Sequence, residues 1–471
     1  MSKLLRRKEI FYILSVGFSS LLMLILFPLL TWFFSLEDIA TYSFFLISVG
    51  FISVVSGLAM EQAYIRGFYS VADNVRLLLE CLSISLLGLV AVSSVLYLFS
   101  DVALTYVFSS DDFKYFVYIC TSLLFLNLKR FTSLFLRFNS YPKIFFISEL
   151  CFSSTMIIGV VIGSLCLNEM DLDDLILLYL SSYVFYFIVF FSTVRIDYKS
   201  FTSYKIDSLE LRSKIEYALP LMVSILVVSL LSMVDKFYLK QHVSLEDFGL
   251  YMSALKVVGA IALIKPFVGI FWTPISMKWY EQCEKLDSYR ILFTGIIFFV
   301  NLFYMFVLFA VPLIKPLFNK EFTELFYLVP ILLLYPCFYL FSEITQVGIL
   351  YAKKTRYSLY ASSLSVLISL LLAHSFIPSY GVESAAIVLS FTFMVFFCFR
   401  TYFSSKIWRT FITIKHISSI LILVMFSLIF SYQGVNGYNA LGFILLNIIF
   451  SVSDLKKLRS LIYVENQEAP L

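Results

Sequence analysis

Residues 35–42 read SLEDIATY, and residues 244–251 read SLEDFGLY, 209 positions later. Ser-x-x-Asp is a helix N-cap pattern, so each copy predicts a helix start. The surroundings of the two copies match over a much longer range. Each lies between two long apolar runs, and six such runs (within 10–195) precede a basic linker while six more (within 215–399) follow it. At the same offset, the acidic turn near 168–174 (NEMDLDD) falls on the IPSYGVES turn at 377–384. Two six-helix halves of this kind are parallel repeats, and transporters built so place their substrate path between the halves.

Composition places the chain in the membrane. Hydrophobic residues make up 61% of its 471 positions and charged residues 14%, with a mean hydropathy of +0.92. Soluble globular chains are about 45–50% apolar and about 25% charged. A spanning helix needs about 20 mostly apolar residues. Fourteen segments qualify: 10–33, 39–60, 76–99, 115–137, 144–166, 175–195, 215–239, 248–272, 291–313, 327–350, 358–377, 383–399, 416–433 and 437–452. The basic start MSKLLRRKEI leads into an apolar stretch too long for a signal-peptide core, so it reads as the first span.

The expected fold is therefore an all-α membrane protein of two six-helix lobes around a central cavity. Its N-terminal lobe is 1–196, the linker 197–214, the C-terminal lobe 215–400, and an added helix pair and tail 401–471. With the N-terminus in the cytoplasm, 26 of the 35 Lys and Arg fall in cytoplasmic segments and only Lys114, Lys240, Lys315 and Lys320 in outer loops. A miscounted helix would invert every later loop and destroy this asymmetry, so both termini are expected inside. The acidic outer stretches, SLED at 35–38, Asp111-Asp112 and NEMDLDD, read as solvated loop surface. The seven cysteines (81, 120, 151, 166, 283, 337 and 398) form no CxxC pair and read as buried small hydrophobes. The three histidines (242, 374 and 416) are scattered.

Five cations lie inside the expected spans: Lys129, Arg130, Lys236, Lys256 and Lys265. The first two are adjacent, within LLFLNLKRFTSLFLRF (123–138). A Lys or Arg at a helix centre costs about 2.5–3.5 kcal/mol on insertion scales, so the pair must face a wet interior or find partners. Arg130 shares a helix face with Asn127 and Arg137, and Lys129 lines up with Ser122 and Ser133. A structural ion pair with Glu149 or Glu343 is the competing reading. Lys256 and Lys265 project to nearly opposite faces unless the helix bends, which Pro266 would allow. Asp235 lies within register of Lys256, and Arg66 closes the second span at the cytoplasmic mouth. The embedded acids Asp235, Glu343 and Glu149 are candidates to bind a coupling proton or Na⁺, or to act only as counter-ions.

Several stretches carry a family resemblance: GLAMEQAYIRGFY (57–69), ALPLMVSILVVSLLSMVDKFYL (218–239), DFGLYMSALKVVG (247–259), VPLIKPLFNKEFTELFYLVPILLL (311–334) and IPSYGVESAAIV (377–388). In order and spacing they cover most of residues 5–400. The chain resembles the polysaccharide-exporter branch of the multidrug/oligosaccharidyl-lipid/polysaccharide exporter superfamily, which includes O-antigen flippases. It departs from that pattern at Glu383-Ser384-Ala385-Ala386, where the family has Gly-Ala-Ala, and at Asp235-Lys236, where it has Asp-Arg. The second change keeps the charge but loses the bidentate guanidinium fork.

The resemblance implies an inner-membrane carrier that flips an undecaprenyl-diphosphate-linked oligosaccharide, with no cofactor. The cationic residues Arg66, Lys129, Arg130, Lys236, Lys256 and Lys265 would contact the diphosphate. Expected partners are the lipid-linked cargo, membrane lipids, H⁺ or Na⁺, and the polymerase and chain-length regulator of such a pathway, with no nucleic acid. Two other classes compete. A membrane polymerase or glycosyltransferase would be equally polytopic, but the outer loops are about a dozen residues or fewer and no nucleophile–base constellation is visible. A drug or cation antiporter of the same superfamily would have a more acidic or apolar cavity.

Overall fold

The computed structural model describes residues 2–68, 71, 74–166, 169–194, 208–259, 272–281, 286–352, 354 and 356–451. Among them the chain is helical throughout, with no strand. It divides into two compact units, Met1–Met233 and Val234–Leu471.

The first unit runs α1 (Ser2–Phe33), α2 (Leu36–Gly57), α3 (Met60–Gly67), α4 (Asn74–Leu98), α5 (Ser100–Phe108), α6 (Phe113–Phe138), α7 (Pro142–Cys166), α8 (Leu172–Thr193) and α9 (Ser208–Leu231). Helix α7 packs between α1 and α8, while α2, α4 and α6 pack on one another. At one end, Met60, Leu77, Cys81, Phe131, Leu136 and Phe190 are buried together. The second unit runs α10 (Val234–His242), α11 (Leu245–Val258), α12 (Thr273–Glu281), α13 (Leu286–Ile314), α14 (Val329–Leu332), α15 (Leu334–Thr345), α16 (Val347–Tyr351), α17 (Arg356–Ile407), α18 (Ile414–Gln433) and α19 (Gly437–Ser451). Here α17 packs on both α10 and α15, and α18 packs on α13 and α14.

The two SLED motifs do the same local work. Ser35 and Ser244 are N-caps whose hydroxyls accept from Asp38 and Asp247 backbone N–H, each at 3.1 Å. The helices therefore begin at 36 and 245, about a turn before the apolar runs that mark them in the sequence.

Nine helices among the described residues are long and apolar enough to cross a membrane, or ten if one bent pair counts as a span. Length and composition thus give fewer crossings than the fourteen apolar segments, because several segments are broken or merged. The segment 215–239 breaks at Ser232-Met233, where the backbone tightens to Ser232 N→Ser229 O and Met233 N→Leu230 O bonds. The segment 327–350 is split into α14, α15 and α16, with a 53° bend to the preceding Lys320–Tyr327 turn. The run 248–272 is described to Gly259 and again at Trp272.

Helix α17 joins two expected spans. Its 52 residues would reach about 78 Å if straight, against about 30 Å of hydrocarbon. The path turns at Gly381, with φ 59° and ψ −140°, a conformation open essentially to glycine alone. Ser384 Oγ donates to the freed Gly381 carbonyl at 2.7 Å. Gly381→Ala should therefore destabilise the protein by roughly 1–3 kcal/mol, read as a lower melting temperature in detergent. Unchanged melting would mean that the turn is not under this constraint.

Reporter fusions at Gly434 and Gln467 should report opposite sides of the membrane, because α19 lies between them. The same side for both would show that α18 and α19 are not a spanning pair.

Candidate functional site

In the first unit the adjacent cations of α6 go separate ways. Lys129 Nζ lies 3.1 Å from Glu149 Oε2 on α7 and 3.6 Å from the Phe152 ring centroid. Their side chains keep only 16% and 15% exposure. Of the two candidate partners for an ion pair, Glu149 is the one engaged. Arg130 turns to α2 instead. Its guanidinium donates to Ser53 O at 3.2 Å and Ser53 Oγ at 2.6 Å, one turn before the helix ends. Beyond that end, Leu58 and Ala59 both sit at φ 50°, the left-handed region that costs a non-glycine residue roughly 1–2 kcal/mol.

Asn127 supports the same junction, donating to Ser56 Oγ at 3.1 Å and accepting from Ser85 Oγ at 3.3 Å. A side chain at Gly57 would stand 3.0 Å from Asn127 Oδ1 and 3.5 Å from Arg130 Nη1. The helix face expected to be polar is thus polar, but Lys129, Arg130 and Asn127 each bond to protein groups.

Arg66, exposed at the end of α3, lies over the Tyr217 ring of α9 at 4.2 Å. Close by in sequence is an acid that the sequence reading passed over. Glu80 is buried in α4 and accepts from Arg76 Nε at 2.9 Å and from Lys214 Nζ. Its signal was present: Arg76 and Glu80 form an i, i+4 pair inside an apolar run.

In the second unit, Asp235 and Lys236 form a buried pair, with Lys236 Nζ 2.9 Å from Asp235 Oδ2 and Tyr251 OH donating to the same oxygen. The Asp235–Lys256 pairing suggested by register is not formed. Adjacent Lys236 neutralises the carboxylate, and Tyr251, five residues before Lys256 on α11, occupies the approach. Lys256 itself is half-buried, and no hydrogen bond or ion pair holds its ammonium among the described residues. Glu343 accepts from Arg400 Nη1 at 2.7 Å and from Gln346 Nε2 at 2.6 Å. Counted as a loop cation from sequence, Arg400 is in fact 8% exposed within α17, because that helix continues to Ile407. Lys265 lies outside the described residues.

Among the described residues, no group of three His, Cys, Asp or Glu is placed to hold a metal ion. His416 is buried and bonded to Thr294 Oγ1 at 2.8 Å. Of the five described cations expected to contact cargo, Lys129 and Lys236 face carboxylates, Arg130 faces a carbonyl and a hydroxyl, Arg66 is exposed on an aromatic ring, and Lys256 is the one that combines partial burial with no ion pair among the described residues.

Neither a protein-family model nor the sequence of a curated protein matches the chain. Solved structures do. A lipid II flippase, MurJ, in an inward closed conformation superposes with a TM-score of 0.64 at 17% identity, covering 96% of this chain and 100% of that one. An inward-facing multidrug resistance MATE transporter of the MOP superfamily also gives 0.64, at 14% identity over 82% of this chain and 94% of its own. An outward-facing MATE transporter gives 0.56, at 15% identity over 83% and 94%. This chain is accordingly a multi-pass membrane protein with the fold of transporters that include a lipid II flippase and multidrug carriers of the MOP superfamily.

Proposed function

We propose that the chain is a flippase. It carries an undecaprenyl-diphosphate-linked oligosaccharide, an O-antigen or similar surface polysaccharide repeat unit, across the bacterial inner membrane by alternating access, with both termini cytoplasmic. The proposed organisation is the N-terminal lobe 1–196, the linker 197–214, the C-terminal lobe 215–400 and the added pair 401–471. The observation that carries this reading is Lys256. An embedded ammonium with no counter-charge among the described residues has its desolvation uncompensated by them, and an anionic head group supplies what it lacks. Likeness to a lipid II flippase over 96% of this chain and all of that one supports the lipid-linked class. Lys129 and Arg66 are further contacts in this reading, each able to exchange its present partner for phosphate, while Asp235, Glu149 and Glu343 remain candidates for ion coupling.

The equal TM-score of a multidrug transporter favours one second reading, a drug or cation antiporter. Deleting the gene separates the two. Accumulation of a lipid-linked saccharide with loss of surface glycan supports the flippase. Drug hypersensitivity with normal glycan supports the antiporter.

A lone ammonium attracts phosphate as a point charge, so Lys256→Arg should keep much of the activity. Lys256→Gln should lose most of it and Lys256→Glu all of it, scored as surface glycan at matched protein level in a deletion strain. Because Asp235 is neutralised by Lys236, adding Asp235→Asn should not rescue Lys256→Gln. An active Lys256→Glu would end the cargo contact at this residue.

Lys129→Ala leaves Glu149 unpaired in a low-dielectric setting and should lower protein level as well as glycan. The neutral double variant Lys129→Ala/Glu149→Gln should restore protein level but not glycan. Full glycan from the double variant would make the pair structural only.

A further inference from the structure

The surroundings of Lys129 hold more chemistry than a cargo contact uses. Besides Glu149 Oε2 and the Phe152 ring, the ammonium lies 5.2 Å from the Tyr186 ring centroid and 5.9 Å from that of Tyr183. One carboxylate with several ring faces is the environment that selects a monovalent ammonium. The rings are held from behind. Phe152 and Tyr183 pack edge to face at 5.0 Å, Tyr179 and Tyr183 share a hydroxyl bond of 2.7 Å, and Ser133 bonds Tyr186 OH at 3.0 Å. All three rings are buried, whereas Lys129 and Glu149 retain partial exposure. The cage thus belongs to α7 and α8, and its occupant arrives on a flexible arm from α6. A lysine arm can withdraw while the cage stays.

We propose that Glu149, Phe152, Tyr183 and Tyr186 form a monovalent-cation site filled at rest by the chain's own Lys129, and that engagement of Lys129 by the cargo diphosphate opens the site to a proton or sodium ion from solution. The proposal rests on the flippase reading. The charges balance: the ammonium moves from carboxylate to phosphate oxygen, the carboxylate takes one external cation, and return of the lysine expels it. The titratable groups around Glu149 are Lys129 from α6, paired with it, and the phenols of Tyr183 and Tyr186 from α8, whose hydroxyls bond to Tyr179 and Ser133. On its own helix, Ser153 bonds Glu149 O at 3.2 Å and Ser19 of α1 at 2.5 Å. Among the described residues Lys129 is the one cation paired with Glu149. Cargo binding and cation binding would then be coupled through a single side chain, in either direction of the cycle.

The cage is tested with n-butylammonium chloride, which reproduces the lysine side chain. It should raise the melting temperature of the purified Lys129→Ala chain, with saturation, and leave the wild type and Lys129→Ala/Glu149→Gln unmoved. No rise in the single variant, or an equal rise in all three, overturns the site. The exchange is tested on the wild-type chain, so it does not depend on a variant folding. Undecaprenyl diphosphate in mixed micelles should draw in about one cation per bound lipid. The uptake is read as a pH rise in weak buffer without sodium if the cation is a proton, or as retained radiosodium if it is sodium. Lipid binding without cation uptake overturns the exchange and spares the flippase reading. Absence of lipid binding overturns the flippase reading and the exchange with it, and the butylammonium result then still decides the cage.

Discussion

The hydrocarbon core offers no water, so a carbonyl or charge left open there must be answered by another part of the chain. The breaks in this protein's helices sit where such answers exist. At the start of the bent tenth segment, the Pro330 carbonyl accepts from Tyr304 OH at 3.1 Å and Ser427 Oγ at 2.8 Å. The next carbonyl, Ile331 O, accepts from Ser390 Oγ at 2.7 Å. Three other helices thus supply donors at one interruption. At Gly381 the donor is local, Ser384, and near the end of α2 it is Arg130. The interruptions are parts of the fold, and α18 belongs to the unit that makes one of them tolerable.

The same constraint sorts the embedded charges. Removing one member of a buried ion pair is costly, while the intact pair adds little net stability. Lys129 with Glu149, Lys236 with Asp235, and Arg400 with Glu343 are therefore better read as charges the protein retains in neutralised form than as struts. Tyr251 and Gln346 satisfy further carboxylate lone pairs, which leaves Asp235 and Glu343 doubly engaged. Around Glu149 and its ammonium stand aromatic rings where those two acids have further hydrogen-bond donors, so its neutralisation depends more fully on the one ammonium of Lys129. Lys256 stands apart because, among the described residues, no acid pairs with it, and Asp235 is engaged by Lys236.

Much of the architecture was legible in one dimension. Apolar runs of spanning length marked the membrane class, and the asymmetric placement of Lys and Arg set an expected orientation. The SLED motifs marked two helix starts, since N-capping involves residues only three apart. The IPSYG stretch marked a turn, and Gly381 makes it. Helix ends were less legible. A cap lies outside the apolar run it starts, so α2 and α11 begin earlier than hydropathy suggests. Arg400 and Ser404 continue α17 as a buried polar face that looks like a loop in sequence.

Composition, spacing and charge patterning determined that this chain is a helical membrane protein with cations inside its apolar segments, because hydropathy and capping are local properties. Partner choice was decided by tertiary structure. Glu149 lies 20 residues from Lys129 and Glu343 lies 57 from Arg400, and helical periodicity says which face a charge shares but not which neighbouring helix meets it. Lys236 took Asp235 from Lys256 through a contact between adjacent residues, with Tyr251 completing it across the turn to α11. Only the packed helices could show which of the described embedded cations is left without an acid partner, since that is a property of every neighbour at once.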